Sequence, residues 1–336
     1  MPMKVERLHK LLSAAYTCLV IAVVPLALYS ITPVPGALLA RTIIDSWSNT
    51  ETPLNFQSIV PAVTVMRDVS VPVNDAPGAK LDVYTPKQGS GLRPIILWIH
   101  GGSFVGGSKE DVQVYATLLA NKGYVVASLE YTRPPDARYP VPVRQANATL
   151  LYLREHAATY AGDQTRVFVA GNSSGAQMAS QVAAIETNPN LAAAMHLQPA
   201  LSPGSLRGTL LYCGAYNMAT LQNIRMPFLH VGLWSYTGYR NVTTFPDVDQ
   251  LSTVKQLTSH YPPVFMTSGD ADALRPQSLE FATALRQHGI PVTTNFWEGS
   301  HAKLGHDYQF KLNQPQAQET FQNTLTFLQT QSKENK

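Results

Sequence analysis

From about residue 63 onward the chain alternates short, nearly continuous apolar runs with amphipathic stretches of helical period, and few folds accept that alternation. TVMRDVSVPV and AKLDVYTP read as opening strands split by a turn at DAPG, and RPIILWIH has the unbroken apolar character of a central strand. DVQVYATLLANKG reads as a helix stopped by Gly123, YVVASLEY as the next buried strand and VRQANATLLYLREHAATY as a longer helix. TRVFVAG, GTLLYCGAY, PPVFMTSG and PVTTNFWEG continue the strands, while AQMASQVAAIE, LEFATALRQHG and QAQETFQNTLTFLQT continue the helices. Such a chain buries its apolar faces best as an α/β domain, with a mostly parallel sheet covered by helices on both faces.

In sheets of this kind ligands bind beyond the carboxyl ends of the strands, so the residues after each strand carry the chemical information. RPIILWIH runs into HGGSF at residues 100–104, and TRVFVAG into GNSSG at 171–175. PPVFMTSG is followed by Asp270 and Asp272, and PVTTNFWEG by a loop holding His301 and His306. GNSSG is a Gly-x-Ser-x-Gly at a strand-to-helix handover, and a Gly/Ser turn there is common punctuation when it stands alone. Here a serine, an acid and a histidine follow three strands in that order, which is the order of a nucleophile elbow and its partners.

These motifs together resemble the α/β-hydrolase family, and specifically its hormone-sensitive-lipase-like esterases, over roughly residues 70–330. HDYQF at 306–310 looks like the HEYQF stretch of a membrane-tethered bacterial branch. The resemblance implies an α/β-hydrolase fold, a serine hydrolase acting on carboxylic esters and no metal or organic cofactor. Ser173 holds the central position of the motif and is the implied nucleophile, with backbone N–H groups of Gly101, Gly102, Ser103 and Ser174 as the implied oxyanion donors. A serine hydroxyl needs an oriented base to react at neutral pH, and oxyanion donors contribute about 2.7–4 kcal/mol each in well-measured cases. Ser103 stands where the family usually has a third glycine, which narrows the space beside an acyl carbonyl.

Two positions stay open at this level. Asp272 lies two residues before Leu274 as in the family pattern and is preferred as the acid, with Asp270 reading as a loop cap. His306 opens HDYQF at the family's usual distance from the last helix and is the favoured base, with His301 as the alternative or as a neighbour lining the site. The aromatic-rich segment NIRMPFLHVGLWSYTGYR, within residues 217–260, reads equally as a lid over the site or as a helix pair packed on the core.

Residues ahead of this domain differ in kind. Lys4, Arg7 and Lys10 precede a run without charge that lasts until Arg41, and Leu11 to Ser30 alone supplies the roughly 20 residues a membrane-spanning helix requires. No convincing small-residue cleavage site follows the run, so an uncleaved anchor is favoured over a signal peptide or a buried helix. The flanking charge puts the catalytic domain on the extracytoplasmic side, with a secreted or periplasmic chain as the cleaved alternative. The organisation expected is thus an anchor or signal segment over 1–40, a linker adding cover over 41–65, and a catalytic domain over 66–336. A net charge of +3 without a basic stripe gives nucleic-acid binding no support. Cys18 and Cys213, the latter expected within a strand, form neither a disulfide framework nor a zinc-ligand spacing. The partner expected is a small-molecule or lipid ester; the other readings are a non-catalytic receptor on the same fold, which has no need of all three residues, and a serine peptidase.

Overall fold

A computed structural model describes residues 30–333 apart from 48, 49 and 75, together with positions 9, 13 and 16. In chain order the main elements are α1 (Val34–Ser46), β1 (Val63–Val71), β2 (Ala79–Pro86), β3 (Arg93–Ile99), α2 (Gln113–Asn121), β4 (Val125–Glu130) and α3 (Val141–Glu155). They continue with β5 (Gly162–Asn172), α4 (Ser174–Thr187), β6 (Leu206–Tyr212), α5 (Leu229–Thr237), β7 (Val264–Thr267), α6 (Arg275–Gln287), β8 (Val292–Asn295) and α7 (Pro315–Gln331). The strands form one eight-stranded sheet in the order β1-β2-β4-β3-β5-β6-β7-β8. β1 and β2 run antiparallel to their neighbours, and from β4 to β8 all pairings are parallel. The mostly parallel sheet inferred from the alternation is therefore present.

The period of two along β3 explains why helices cover both faces. Ile95, Leu97 and Ile99 join one buried cluster with Val143 and Leu150 of α3 and Val182 of α4. Ile96 and Trp98 point the other way, into a cluster with Tyr115 of α2 and Phe321 and Leu328 of α7. Each such aliphatic side chain contributes roughly 1.5–3 kcal/mol when fully buried. The sheet is thus fixed from both sides, and its strand ends make a rigid rim for the loops that follow.

Three expectations are adjusted. Cys213 lies one residue beyond β6, in a left-handed conformation (φ 52°), where the chain leaves the sheet. The loop expected ahead of the last helix holds a short element of its own: Tyr308–Phe310 of HDYQF forms a single 3-10 turn, and α7 starts at Pro315, whose fixed φ and missing N–H suit the first helical position. The boundary expected at residues 40 and 41 falls inside α1, whose Ala37 and Ala40 are fully buried beside Val105. The body that packs as one unit thus includes α1. Most of the uncharged run lies outside the described residues, and among those described no helix is long and apolar enough to cross a membrane.

Main chain approaches main chain very closely where α4 leaves the sheet. A Cβ at Gly175 would lie 2.1 Å from the Ile99 carbonyl oxygen and 2.4 Å from that of His100. Those atoms are backbone at the end of β3 and cannot rotate away. Gly175→Ala should therefore destabilise the protein by more than about 3 kcal/mol. Urea or thermal unfolding of the variant checks this, and an unfolding midpoint equal to that of the unmodified protein would contradict it.

Candidate active site

β5 ends at Asn172, and Ser173 turns the chain into α4 with φ 55° and ψ −122°, a conformation that side-chain-bearing residues rarely adopt. Such a residue costs on the order of 1–3 kcal/mol and persists only where its surroundings hold it. Here the Ser173 N–H donates to the Tyr212 carbonyl at 2.8 Å, tying the turn to the adjacent β6. The side chain is thereby presented at the centre of the rim, at the floor of a cavity of about 750 Å³ that His306 also lines.

The acid and the base arrive from the loops after β7 and β8. Asp272 Oδ1 accepts the Leu274 N–H at 2.8 Å and lies 3.0 Å from His306 Nδ1. Burial would push the Asp272 carboxyl up, but the facing imidazole and its hydrogen bond outweigh that and hold the pKa below the ordinary value. Burial likewise opposes a charged His306, yet the carboxylates of Asp307 and Asp272 push its pKa up to about 9. His306 Nε2 is buried and without a hydrogen-bond partner among the described residues. An imidazole fixed at Nδ1, with a free Nε2 in the same cavity as a serine hydroxyl, is equipped to take that hydroxyl's proton.

The two open positions are distinguished by placement. Asp270 accepts the backbone N–H of Leu304 at 2.6 Å and of Lys303 at 3.2 Å, so it shapes the loop carrying His306 and does not touch the imidazole. His301 is exposed on that loop and is absent from the cavity wall, contrary to the expectation that it would line the site.

Beyond β3, residues 101–107 curl over the turn. A Cβ at Gly102 (φ 125°) would lie 2.1 Å from the Gly106 carbonyl oxygen, so this tight curl admits only glycine. His100 stacks on Tyr131 with ring centroids 4.4 Å apart. Burial pushes its imidazole pKa down to about 4, so the ring is neutral and its Nδ1–H donates to the Gly101 carbonyl at 2.7 Å. The Gly101 N–H donates to Asn172 Oδ1 at 3.2 Å and is therefore occupied, a change from its expected role as an oxyanion donor. Gly102, Ser103 and Ser174, the last at the first turn of α4, keep N–H groups with no partner among the described residues. Ser103 itself is left-handed (φ 51°) and nearly buried beside them.

The cover comes from both segments suspected of it. Met226, Pro227 and Phe228 line the cavity, while Leu229, Leu233 and Tyr236 of α5 pack with Phe104 into a cluster of their own. The 217–260 segment is thus lid and packed layer at once. Ile44 and Trp47 join them in the lining, and the Trp47 ring lies 5.9 Å from that of Phe228. Sequence reasoning passed over Arg41, Asp45, Asn172 and Asp307. Arg41 of α1 donates to the Val105 carbonyl at 3.0 Å and to that of Arg133 at 3.2 Å. Asp45 accepts the Gly107 N–H at 2.8 Å, so α1 fastens the curl from outside. Asp307 was visible as a carboxylate beside a candidate base; the others carry no local signal.

The sheet order, the strained serine after β5 and the Asp–His pair define the class: an α/β-hydrolase with a nucleophile-elbow site. The chain belongs to the BD-FAE family, whose model matches residues 81–285. It is similar to esterase LipQ of Mycobacterium tuberculosis, 26% identical over 64% of this chain and 51% of that protein. It is also similar to the versiconal hemiacetal acetate esterase of Dothistroma septosporum, 24% identical over 69% of this chain and 73% of that one. The chain spans about half the length of several curated relatives it matches. Among solved structures, esterase B from Lactobacillus rhamnosis shares the fold, with a TM-score of 0.72 at 20% identity, covering 99% of this chain and 97% of that one.

Asp45→Ala should release the Gly107 N–H while leaving the sheet intact. A hydrogen bond to a charged group contributes about 1.5–3 kcal/mol, so amide exchange in residues 102–107 should quicken by roughly tenfold or more. Hydrogen-exchange mass spectrometry of that peptide checks this, and unchanged protection would show the curl to be held by other contacts.

Proposed function

We propose that the protein hydrolyses carboxylic esters through an acyl-enzyme on Ser173. The observation that carries this is the strained Ser173 turn sharing one cavity with His306, whose Nδ1 faces Asp272 at 3.0 Å. Ser173 Oγ attacks the ester carbonyl carbon as its proton passes to His306 Nε2. Asp272 balances the imidazolium that results. The carbonyl oxygen, now anionic, is received by the N–H groups of Gly102, Ser103 and Ser174, each fixed before the substrate arrives. Collapse of the tetrahedral intermediate breaks the ester C–O bond, and His306 returns the proton to the departing alkoxide. Water then attacks the acyl-enzyme with the same base, releasing the acid and restoring Ser173. The names of esterase LipQ and the versiconal hemiacetal acetate esterase support the ester assignment.

The apolar wall formed by Ile44, Trp47, Met226, Phe228 and Phe310 favours an ester with an apolar portion, a small molecule or a lipid. The membrane reading belongs with it. Residues 11–30, outside the described part save Ser13, Tyr16 and Ser30, serve as an anchor that holds the catalytic domain on the extracytoplasmic side. The uncharged run, the basic residues before it and the likeness of HDYQF to the tethered branch support this. Leu38 and Leu39, 45% and 62% exposed on α1 just after the run, suit a helix lying near lipid.

Two outcomes are expected. On a short p-nitrophenyl ester, Ser173→Ala and His306→Ala should each lower kcat by several orders of magnitude with folding unchanged, whereas His301→Ala should stay within about tenfold. Collapse in His301→Ala with normal turnover in His306→Ala would move the base five residues toward β8. The full chain should also sediment with membranes and resist carbonate extraction, whereas a soluble chain with a new N-terminus would establish a cleaved signal.

A further inference from the structure

His306 lies between two carboxylates, and the mechanism above uses only one of them. Asp272 faces Nδ1; Asp307 Oδ2 lies 3.8 Å from Nε2, the nitrogen that must accept the serine proton. Asp307 is nearly buried, and its backbone is left-handed (φ 57°), a strained choice for a residue that only fills space. Two amides hold its carboxylate: Asn172 Nδ2 donates to Oδ2 at 2.9 Å and Gln309 Nε2 donates to Oδ1 at 3.0 Å. The same Asn172 accepts the Gly101 N–H through Oδ1, so one side chain joins Asp307 to the oxyanion curl.

Resting on the ester-hydrolase reading, we propose that Asp307 is a second carboxylate for the base, stabilising the imidazolium from the Nε2 side and positioning the oxyanion curl through Asn172. The two amides are essential to this arrangement. A free carboxylate beside Nε2 would close to hydrogen-bond distance, capture its proton and block the serine. Tethered at 3.8 Å, it keeps ion-pair attraction without a hydrogen bond, and Nε2 remains available to Ser173. The attached proton comes from Ser173 Oγ and goes to the leaving alkoxide.

Other groups around the imidazole do not supply this charge. Cys213, one residue beyond β6, is buried, and burial together with Asp272 and Asp307 pushes its thiol pKa up, so it stays neutral. Glu110 lines the cavity wall but pairs with Lys109 at 2.6 Å, and Asp111 is engaged by the Ser108 N–H at 2.8 Å. Asp270 is bonded to its own loop. The HDYQF segment then reads as one device: His306 the base, Asp307 the held charge, Gln309 the tether, Tyr308 and Phe310 the buried anchors.

The sign of the effect is fixed by the chemistry. A carboxylate facing Nε2 raises the proton affinity of the imidazole, so the base becomes neutral and active only at higher pH. Removing the charge in Asp307→Asn should move the acid limb of kcat/KM down by about one pH unit or more. It should also weaken the base, lowering the alkaline plateau by about threefold or more, so the two profiles cross. Asn172→Ala, which cuts the link to the curl and also releases Asp307 Oδ2 to close on Nε2, should lower kcat and move the acid limb up, opposite in sign to Asp307→Asn. A uniform loss in Asp307→Asn without a shifted limb would reduce Asp307 to a structural residue and overturn the proposal, as would an unchanged profile. If that variant does not fold, NMR titration of His306 in Gln309→Ala decides: the untethered carboxylate should close on Nε2, so a pKa above that of the unmodified protein supports the second carboxylate, and an unchanged pKa overturns it. Absence of ester turnover in the unmodified protein would instead refute the hydrolase reading on which this rests.

Discussion

The site depends first on how closely three stretches of main chain approach one another at the centre of the sheet. Gly175 rests against the carbonyls that end β3, and Ser173 is pinned to the carbonyl that ends β6, so the turn after β5 has no room to relax. The strain at Ser173 is sustained by this crowding. It places the hydroxyl above the rim and leaves the first N–H of α4 facing the same space, which makes nucleophile and oxyanion donor products of a single turn. The sheet, clamped by apolar clusters on both faces, is stiff enough to hold that geometry.

Around that turn, the remaining parts are held by different kinds of contact. The acid and base come from loops whose shape is set by backbone-to-carboxylate bonds, such as Leu304 to Asp270 and Leu274 to Asp272. The oxyanion curl is fixed by glycine geometry from within, by the neutral His100 beneath it, and by Arg41 and Asp45 of α1 from outside. The segment joining the uncharged run to the domain is therefore part of the site and not a passive linker. Pre-organisation of this kind spares the reorganisation cost that loose donors would incur during reaction.

The strands were legible because burial on both faces writes itself as unbroken apolar runs, and RPIILWI and VFVAG carry that signature whatever their neighbours do. Ser173 was legible because a turn this tight demands small residues at fixed offsets. The partners at a distance were harder to read. Asp272 and Asp270 differ in sequence by two places, but in space one meets the imidazole and the other its own loop, a difference created by how the loops after β7 and β8 fold together. Arg41 and Asp45 act on a curl some sixty residues away in the chain, a pairing that no local pattern encodes. Asn172 illustrates the limit most clearly: it occupies an unconstrained position of the Gly-x-Ser-x-Gly motif, yet its amide reaches both the curl and the loop of the base. The last helix was legible at QAQETFQNTLTFLQT, whereas the 3-10 turn that HDYQF makes four residues before Pro315 carries no periodic signature.

The central claim, that the strained turn after β5 presents a nucleophile to esters, is tested most directly by trapping it. The protein would be treated with a fluorophosphonate, digested, and the modified residue located by tandem mass spectrometry while loss of p-nitrophenyl ester turnover is followed in parallel. The account predicts one adduct, on Ser173, forming in step with the loss of activity. An adduct on Ser174 or elsewhere, or full loss of turnover with Ser173 unmodified, would contradict it.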